Sequence, residues 1–197
     1  RKFEKAKQCF ETSIKINPSF AGAYNNLANT FKNLGDSKNA LIYYEKTIEL
    51  QAKNINAISN LGILHKMLGN INKAKELFEK VLVYEPNNLV VYYNLNNLKK
   101  EKISGKNKIR IKKMVEQKSL SKINLAYGNF LLSKYELENK NIESECNYLI
   151  KAHEHYFESL DLSKQNDVDY WLNDLPQSKI LNNDNSTYNE ANYKIKP

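Results

Sequence analysis

Apolar residues recur three or four positions apart through the first hundred residues, which is the spacing of one face of an α-helix. The same order of apolar, small and polar positions occurs twice without a gap, at 21–54 and 34 residues later at 55–88. A glycine, Gly35 or Gly69, divides each copy into two segments. Each copy therefore predicts two antiparallel helices, the first of which ends at a glycine in the left-handed conformation.

The positions that match between the two copies carry large apolar or small side chains. The aligned pairs are Tyr24 with Ile58, Leu27 with Leu61, Ala28 with Gly62, Ala40 with Ala74, and Tyr44 with Phe78. The period and the residue types resemble the tetratricopeptide repeat, W-x2-L-G-x2-Y followed by A-x3-F and P. The resemblance implies an all-α, right-handed superhelical solenoid of antiparallel helix pairs with a concave binding groove.

The repeat pattern extends over residues 1–101 and then breaks. We expect the second half of a repeat at 1–20, full repeats at 21–54 and 55–88, and the first helix of another at 89–101. The missing first helix before residue 1 suggests an excised fragment, whose uncovered helix end offers a surface for a homodimer.

The remaining chain is predicted to contain a basic irregular connector at 102–122, a divergent helical hairpin with a capping helix at 123–175, and a polar linker at 176–197. Ile109, Ile111, Met114 and Val115 indicate a short helix in the connector, either a degenerate second helix or an insertion. In the hairpin we expect the inward residues to be Cys146, Leu149, Ile150, His153 and Phe157, and Trp171 to seal the end of the solenoid.

Composition favours a soluble protein of a reducing compartment. The two cysteines, Cys9 and Cys146, are too few for a disulfide framework, and we expect both to be buried in a cytoplasmic protein. No apolar run is long enough to span a membrane.

The sequence contains no recognisable catalytic, cofactor or metal motif. Phosphate-binding loops, zinc-protease and nucleophile-elbow patterns and C-x-x-C are all absent. His153 and His155 lie two positions apart on a helix, which is a poor metal pair, so we expect a half-buried His153 and a solvated His155. His65 replaces the repeat's tyrosine and is expected to be a packing residue. We therefore predict a chain that is not an enzyme and binds no cofactor or metal.

Three asparagines, Asn26, Asn60 and Asn94, recur 34 residues apart, each just before the repeat's leucine. An amide can pair with both the C=O and the N–H of a peptide unit, so three in register would form a ladder for an extended backbone. This arrangement is similar to the asparagine ladder of O-linked N-acetylglucosamine transferases. The alternative is that these amides form hydrogen bonds within the scaffold.

The resemblance also implies further groove residues on the first helices. The full predicted set is Asn25, Asn26, Asn29, Lys32, Asn60, Ile63, Lys66, Met67, Tyr93, Asn94 and Asn97. Repeats that clamp a chaperone's C-terminal carboxylate need lysine or arginine where this chain has Asn25, Ser59, Val90 and Asn94, which argues against that ligand. We predict instead a protein or extended-peptide partner.

Basic residues are concentrated in one segment, Lys99–Lys122, which holds ten of them against two acidic residues. This excess equals the net charge of +8 of the whole chain. The alternative function is therefore binding of a polyanion or nucleic acid. The segment contains no aromatic residue to stack on bases, so nucleic acid is the less favoured ligand, and a solvated basic face is the simpler interpretation.

A wider resemblance concerns SLSKINLAYGNFLLSKYELE, YLIKAHEHYFESL and the ending Tyr193–Pro197. These features resemble the region that precedes the sulfotransferase domain in bacterial proteins that join tetratricopeptide repeats to such a domain. The resemblance implies that a catalytic domain follows residue 197 in the parent protein, and that the groove presents acceptor protein to it.

Overall fold

The computed structural model describes residues 2–99, 102–117 and 119–160, in which all regular elements are α-helices. They are α1 (Lys2–Ile16), α2 (Ala21–Asn33), α3 (Ser37–Leu50), α4 (Ile55–Met67), α5 (Ile71–Tyr84), α6 (Leu89–Lys99), α7 (Gly105–Val115), α8 (Lys122–Glu138) and α9 (Ile142–Glu158). The predicted capping helix, Trp171 and the predicted linker lie outside the described residues.

Glycine turns join α2 to α3 and α4 to α5, as the repeat predicts. Gly35 and Gly69 have φ values of +79° and +78°. This conformation lets the N–H of Asp36 donate to the Phe31 carbonyl at 2.9 Å, which closes the end of α2. The Asp36 carboxylate then accepts from the Asn39 N–H at 3.1 Å and caps α3. The two predicted helix pairs are thus confirmed.

Small residues allow close packing within each pair. Ala28 and Ala40 are fully buried between α2 and α3. At Gly62 a Cβ would lie 2.7 Å from Cε1 of Phe78, so the glycine of α4 faces this ring more closely than it faces the predicted Ala74. The absence of a side chain at Gly62 therefore lets the ring of Phe78 fill the contact between α4 and α5.

The third unit departs from the repeat. The connector contains a helix, α7, whose backbone packs against α8 and not against α6. Its contact with α6 is made by side chains, such as that of Arg110 over the Tyr92 ring at 5.4 Å. α8 packs directly on α6, and Gly128 permits this, because a Cβ there would lie 2.5 Å from Cγ2 of Val115 and 2.8 Å from Cδ1 of Leu89. α7 is therefore not paired with α6 as α3 is with α2.

The inward face predicted for α9 is right only in part. Leu149 and Phe157 are half-buried, whereas Cys146, Ile150 and His153 are exposed, and the fully buried residue is Ala152. α9 packs closely on α8, and such an approach selects a small side chain rather than the larger apolar ones. Cys9 is also exposed, so the expectation that both cysteines are buried is wrong.

Candidate functional site

A cavity of about 340 Å³ opens between α4, α6 and α8, and we call it the asparagine groove. Its polar lining consists of Asn56, Ser59, Asn60, Asn88, Asn94 and Asn124, and its apolar lining of Ile63, Phe78, Val90, Val91 and Ile123. Glu85 is the one charged residue in the lining. The groove is therefore a neutral surface rich in amides that can both donate and accept hydrogen bonds.

The predicted groove residues divide between this cavity and its surroundings. Asn60, Ile63 and Asn94 line it, and Lys66 reaches it through a hydrogen bond. The predicted residues outside it are Asn25, Asn26, Asn29 and Lys32 on α2, Met67 at the end of α4, and Tyr93 and Asn97 on α6. The cavity thus occupies the middle and C-terminal part of the predicted surface.

Asn94 is buried and largely occupied by the scaffold. Its Oδ1 accepts from the Lys66 ammonium at 2.8 Å, and its Nδ2 donates to the Val90 carbonyl at 3.0 Å. Because an amide nitrogen carries two hydrogens, one N–H of Asn94 is left for a ligand.

Asn60 is half-buried and belongs to a different network. Its Nδ2 donates at 3.2 Å to Oδ1 of Asn29, which also accepts from the hydroxyl of Tyr44 at 2.5 Å. Burial raises the pKa of Tyr44, so its hydroxyl stays a donor. The Oδ1 of Asn60 and one of its N–H groups remain for a ligand. Neither of these atoms is fully buried without a hydrogen-bond partner.

Asn26 is exposed, so the three asparagines of the predicted ladder lie in three different environments. The neighbouring Asn25 has a buried Oδ1 without a hydrogen-bond partner. The alternative to the ladder is hydrogen bonding within the scaffold. Asn94 uses its Oδ1 and one N–H in such bonds, and Asn60 uses one N–H.

Sequence reasoning missed Asn56 and Asn124. Asn124 Oδ1 accepts from the backbone N–H groups of Leu89 at 2.7 Å and Val90 at 3.3 Å, so a side chain of α8 caps α6. Asn56 is exposed at the groove. Asn124 lies beyond residue 101, where the repeat pattern ends, so the period gives no signal for it.

The basic segment is partly neutralised by carboxylates from outside it. Lys108 contacts the buried Glu136 at 2.7 Å, Lys122 contacts Glu158 at 2.7 Å, and Lys99 contacts Glu79 at 3.8 Å. The hydrogen bond that the Lys108 ammonium donates to the Glu136 carboxylate raises the pKa of Lys108. Of the eight basic side chains of this segment that the structure describes, three are therefore paired.

A second cavity, of about 410 Å³, lies on the exposed side of α7, and we call it the basic cavity. Its lining is Asn87, Lys106, Ile109, Arg110, Lys113, Met114 and Gln117. It contains three basic residues and no acidic one.

Within the described part of the chain, no group of three metal-ligating side chains comes together, and no helix is long and apolar enough to cross a membrane. His65 is buried, as expected of a packing residue. The expectations for the other two histidines are wrong, since His153 is exposed and His155 is the half-buried one, within 3.3 Å of Glu158.

Comparisons with known proteins support the repeat assignment. Family models described as tetratricopeptide repeat match residues 9–42 and 55–88. The first match spans the end of α1, all of α2 and the start of α3. It therefore begins and ends at other points of the repeat than the predicted unit at 21–54. No curated protein matches the chain.

Several solved structures share the fold. MamA is 16% identical with a TM-score of 0.54, over 79% of this chain and 90% of that one. YrrB, described as a tetratricopeptide repeat protein with an unusual peptide-binding site, is 20% identical with a TM-score of 0.51, over 74% of both chains. The nearly identical repeats of a kinesin light chain-like protein from Podosopora anserina are 15% identical with a TM-score of 0.52, over 80% of this chain and 88% of that one. The chain thus contains tetratricopeptide repeats and has the all-α fold that they build.

Proposed function

We propose that the chain is a protein-interaction scaffold whose asparagine groove binds an extended peptide through its backbone. The observation that carries the proposal is the convergence on one cavity of four asparagines and a serine from three helices, together with Asn88 just before α6. Such a surface matches the alternating donors and acceptors of a peptide and is indifferent to most side chains.

The chemistry favours backbone recognition over charge recognition. Burying a backbone N–H or C=O of a peptide without a hydrogen-bond partner costs about 1–3 kcal/mol. A peptide bound in the groove must therefore form hydrogen bonds with the amides of the lining. Asn60 retains both a donor and an acceptor, and Asn56 has no hydrogen bond within the described residues. These two side chains are therefore the best placed to hold a peptide unit.

The likeness to YrrB supports a peptide ligand, since that protein is described by its peptide-binding site. The resemblance to the region before a sulfotransferase domain extends the proposal, because a bound peptide would then be the acceptor presented for sulfation. That extension concerns the parent protein and is separate from the binding itself.

The test measures retention of a random decapeptide library by the immobilised chain. The double variant Asn56→Ala/Asn60→Ala should lower the affinity of the retained peptides several-fold, since each lost hydrogen bond is worth about 0.5–1.5 kcal/mol. Asn147→Ala, at an exposed position of α9, is the matched control and should leave affinity unchanged. Equal affinities of the wild type and the double variant would contradict the proposal.

A second candidate function is polyanion binding by the basic cavity. Lys106, Arg110 and Lys113 lie on one face of α7, and Lys106 and Lys113 form no ion pair with described residues. Lys106→Ala/Lys113→Ala should then elute from heparin at lower salt than the wild type, whereas Lys38→Ala/Lys80→Ala, with the same charge change at exposed positions, should shift less. Equal shifts, or no retention at low salt, would rule this function out.

A further inference from the structure

Five aromatic rings from α6, α8 and α9 form a continuous group that we call the aromatic cluster. Tyr93 of α6 meets Tyr127 of α8 at a centroid distance of 5.1 Å and Phe130 at 6.2 Å. Tyr156 and His153 of α9 extend the cluster, at 6.5 Å from Tyr127 and 5.2 Å from Phe130 respectively. All five are thus linked by ring contacts.

The cluster is not a closed core. Tyr93, Tyr127 and Phe130 are only half-buried, Tyr156 is 39% exposed, and His153 is exposed. The rings meet mostly edge to face, at interplanar angles of 50° to 86°. Tyr93 and Tyr127 also pack against the buried core that contains Leu131, so the cluster lies at the edge of that core.

The phenol hydroxyls of the cluster are also available. Tyr93, Tyr127 and Tyr156 form no hydrogen bond with described residues. Burial, together with the nearby Tyr156 and Tyr93, raises the pKa of Tyr127, so this hydroxyl stays protonated. The cluster therefore combines partly exposed rings with hydroxyls that can donate to a carbonyl.

The aromatic cluster adjoins the asparagine groove along two helices. Tyr93 lies one turn beyond the groove residue Val90, on the same face of α6. Tyr127 lies one turn beyond the groove residue Ile123, on the same face of α8. A peptide extended through the groove would reach the cluster within a few residues, at about 3.3 Å per residue.

We propose that the aromatic cluster is a side-chain subsite that takes a phenylalanine, tyrosine or tryptophan of the peptide bound in the asparagine groove. This inference rests on the proposed function, because the groove holds the backbone and the cluster selects one side chain. A further ring adds edge-to-face contacts to rings already arranged in that way.

Charge argues against a cationic side chain, which aromatic groups also bind. The Lys134 side chain lies one turn beyond Phe130 on α8, and its ammonium donates to Oδ1 of Asn96 at 2.6 Å and to Oδ1 of Asn97 at 3.3 Å. A peptide lysine or arginine at the cluster would meet this positive charge.

The experiment uses labelled decapeptide pools whose central position is fixed as Phe, Tyr, Leu, Lys or Ala, with affinity measured by fluorescence anisotropy. The wild type should bind the Phe and Tyr pools about 2- to 10-fold more tightly than the Ala pool. Tyr127→Leu should abolish this preference of the Phe and Tyr pools over the Ala pool, whereas Tyr127→Phe should keep it. Far-UV circular dichroism melts verify that both variants are folded.

The outcomes separate the two proposals. Equal binding of all pools, or a Leu or Lys pool that binds as tightly as the Phe pool, would overturn the aromatic subsite and leave the groove intact. Absence of binding by every pool would overturn the proposed function and the subsite together.

Since the chain has seven phenylalanines, fluorophenylalanine labelling with Phe130→Leu for assignment gives a second readout. The Phe130 resonance should shift with the Phe pool, and an unshifted resonance would count against the subsite.

Discussion

At the scale of single residues, glycine conformation was predictable from the sequence, because backbone sterics act locally. Gly35 and Gly69 recur one period apart and both take the left-handed conformation that ends a helix. A side chain there is strained even though space is free, since a Cβ added at either glycine would have no neighbouring atom within 4 Å.

We therefore expect Gly35→Ala and Gly69→Ala each to lower the free energy of unfolding by about 1–2 kcal/mol through backbone strain. Urea denaturation followed by circular dichroism measures the change. Lys140→Gly is the opposite control, since Lys140 already has a φ of +58° and should not be destabilised by the exchange. Unchanged midpoints for both glycine variants would contradict the role of the turns.

His65 predicts a dependence of stability on pH. It is 4% exposed, its Nδ1 lies 3.3 Å from Nδ2 of Asn70, and its Nε2 has no partner. Burial, with a smaller effect of Lys73, lowers the pKa of His65 below its usual 6.5. The unfolded chain therefore binds a proton more readily than the folded one as pH falls below this value.

The free energy of unfolding should accordingly be constant above about pH 7 and decrease as pH falls through the window below 6.5. His65→Gln should remove much of this decrease, while His155→Gln, at a half-buried position, should leave it in place. Denaturation midpoints at pH 5, 6 and 7 test the difference. If the denaturation midpoints of the wild type and of His65→Gln fall equally with pH, His65 is not the origin of the pH dependence.

The asparagines show where residue-level prediction fails. Asn60 and Asn94 hold the same repeat position, but Lys66 reaches Asn94, whereas Asn29 and not Lys32 bonds Asn60. The hydrogen-bond partner of each amide depends on which neighbouring side chain reaches it. Repeat spacing does not contain that information.

At the scale of elements, the helices followed from periodicity, while the packing of α7 and the buried face of α9 did not. α7 packs against α8 because its apolar residues Ile111 and Met114 join a core with Leu131 and Leu132. That pairing depends on contacts between segments that no repeat relates. For α9, Cys146, Ile150 and His153 have helical spacing, yet the close approach to α8 centres on Ala152.

The contact between α7 and α8 includes an ion pair whose loss should be costly. Lys108 lies 2.7 Å from Glu136, whose side chain is only 5% exposed. Lys108→Ala would leave this carboxylate buried and unpaired, and should lower the free energy of unfolding by about 1–2 kcal/mol.

Lys122→Ala is the matched control, because its pair with Glu158 is exposed on both sides and contributes little. Chemical denaturation measures both variants. A loss for Lys122→Ala as large as that for Lys108→Ala would show that burial of Glu136 is not the reason.

At the scale of the whole molecule, the asparagine groove exists because α8 packs directly on α6. Regular repeats would place a paired second helix after α6, but here α8 supplies Ile123 and Asn124 to the groove and caps α6. The sequence therefore predicted a groove and some of its residues, whereas its C-terminal wall depended on packing that the period does not describe.

The central claim is that amides of the asparagine groove hold a peptide backbone. The most direct measurement follows side-chain amide resonances of the ¹⁵N-labelled chain as the peptides retained by the wild type are added, with assignment by single Asn→Ala variants. The account predicts that the Asn56 and Asn60 resonances shift, and that those of Asn147 on α9 and Asn107 on α7 do not. Shifts confined to Asn107 and the basic cavity, or none at Asn56 and Asn60, would contradict it.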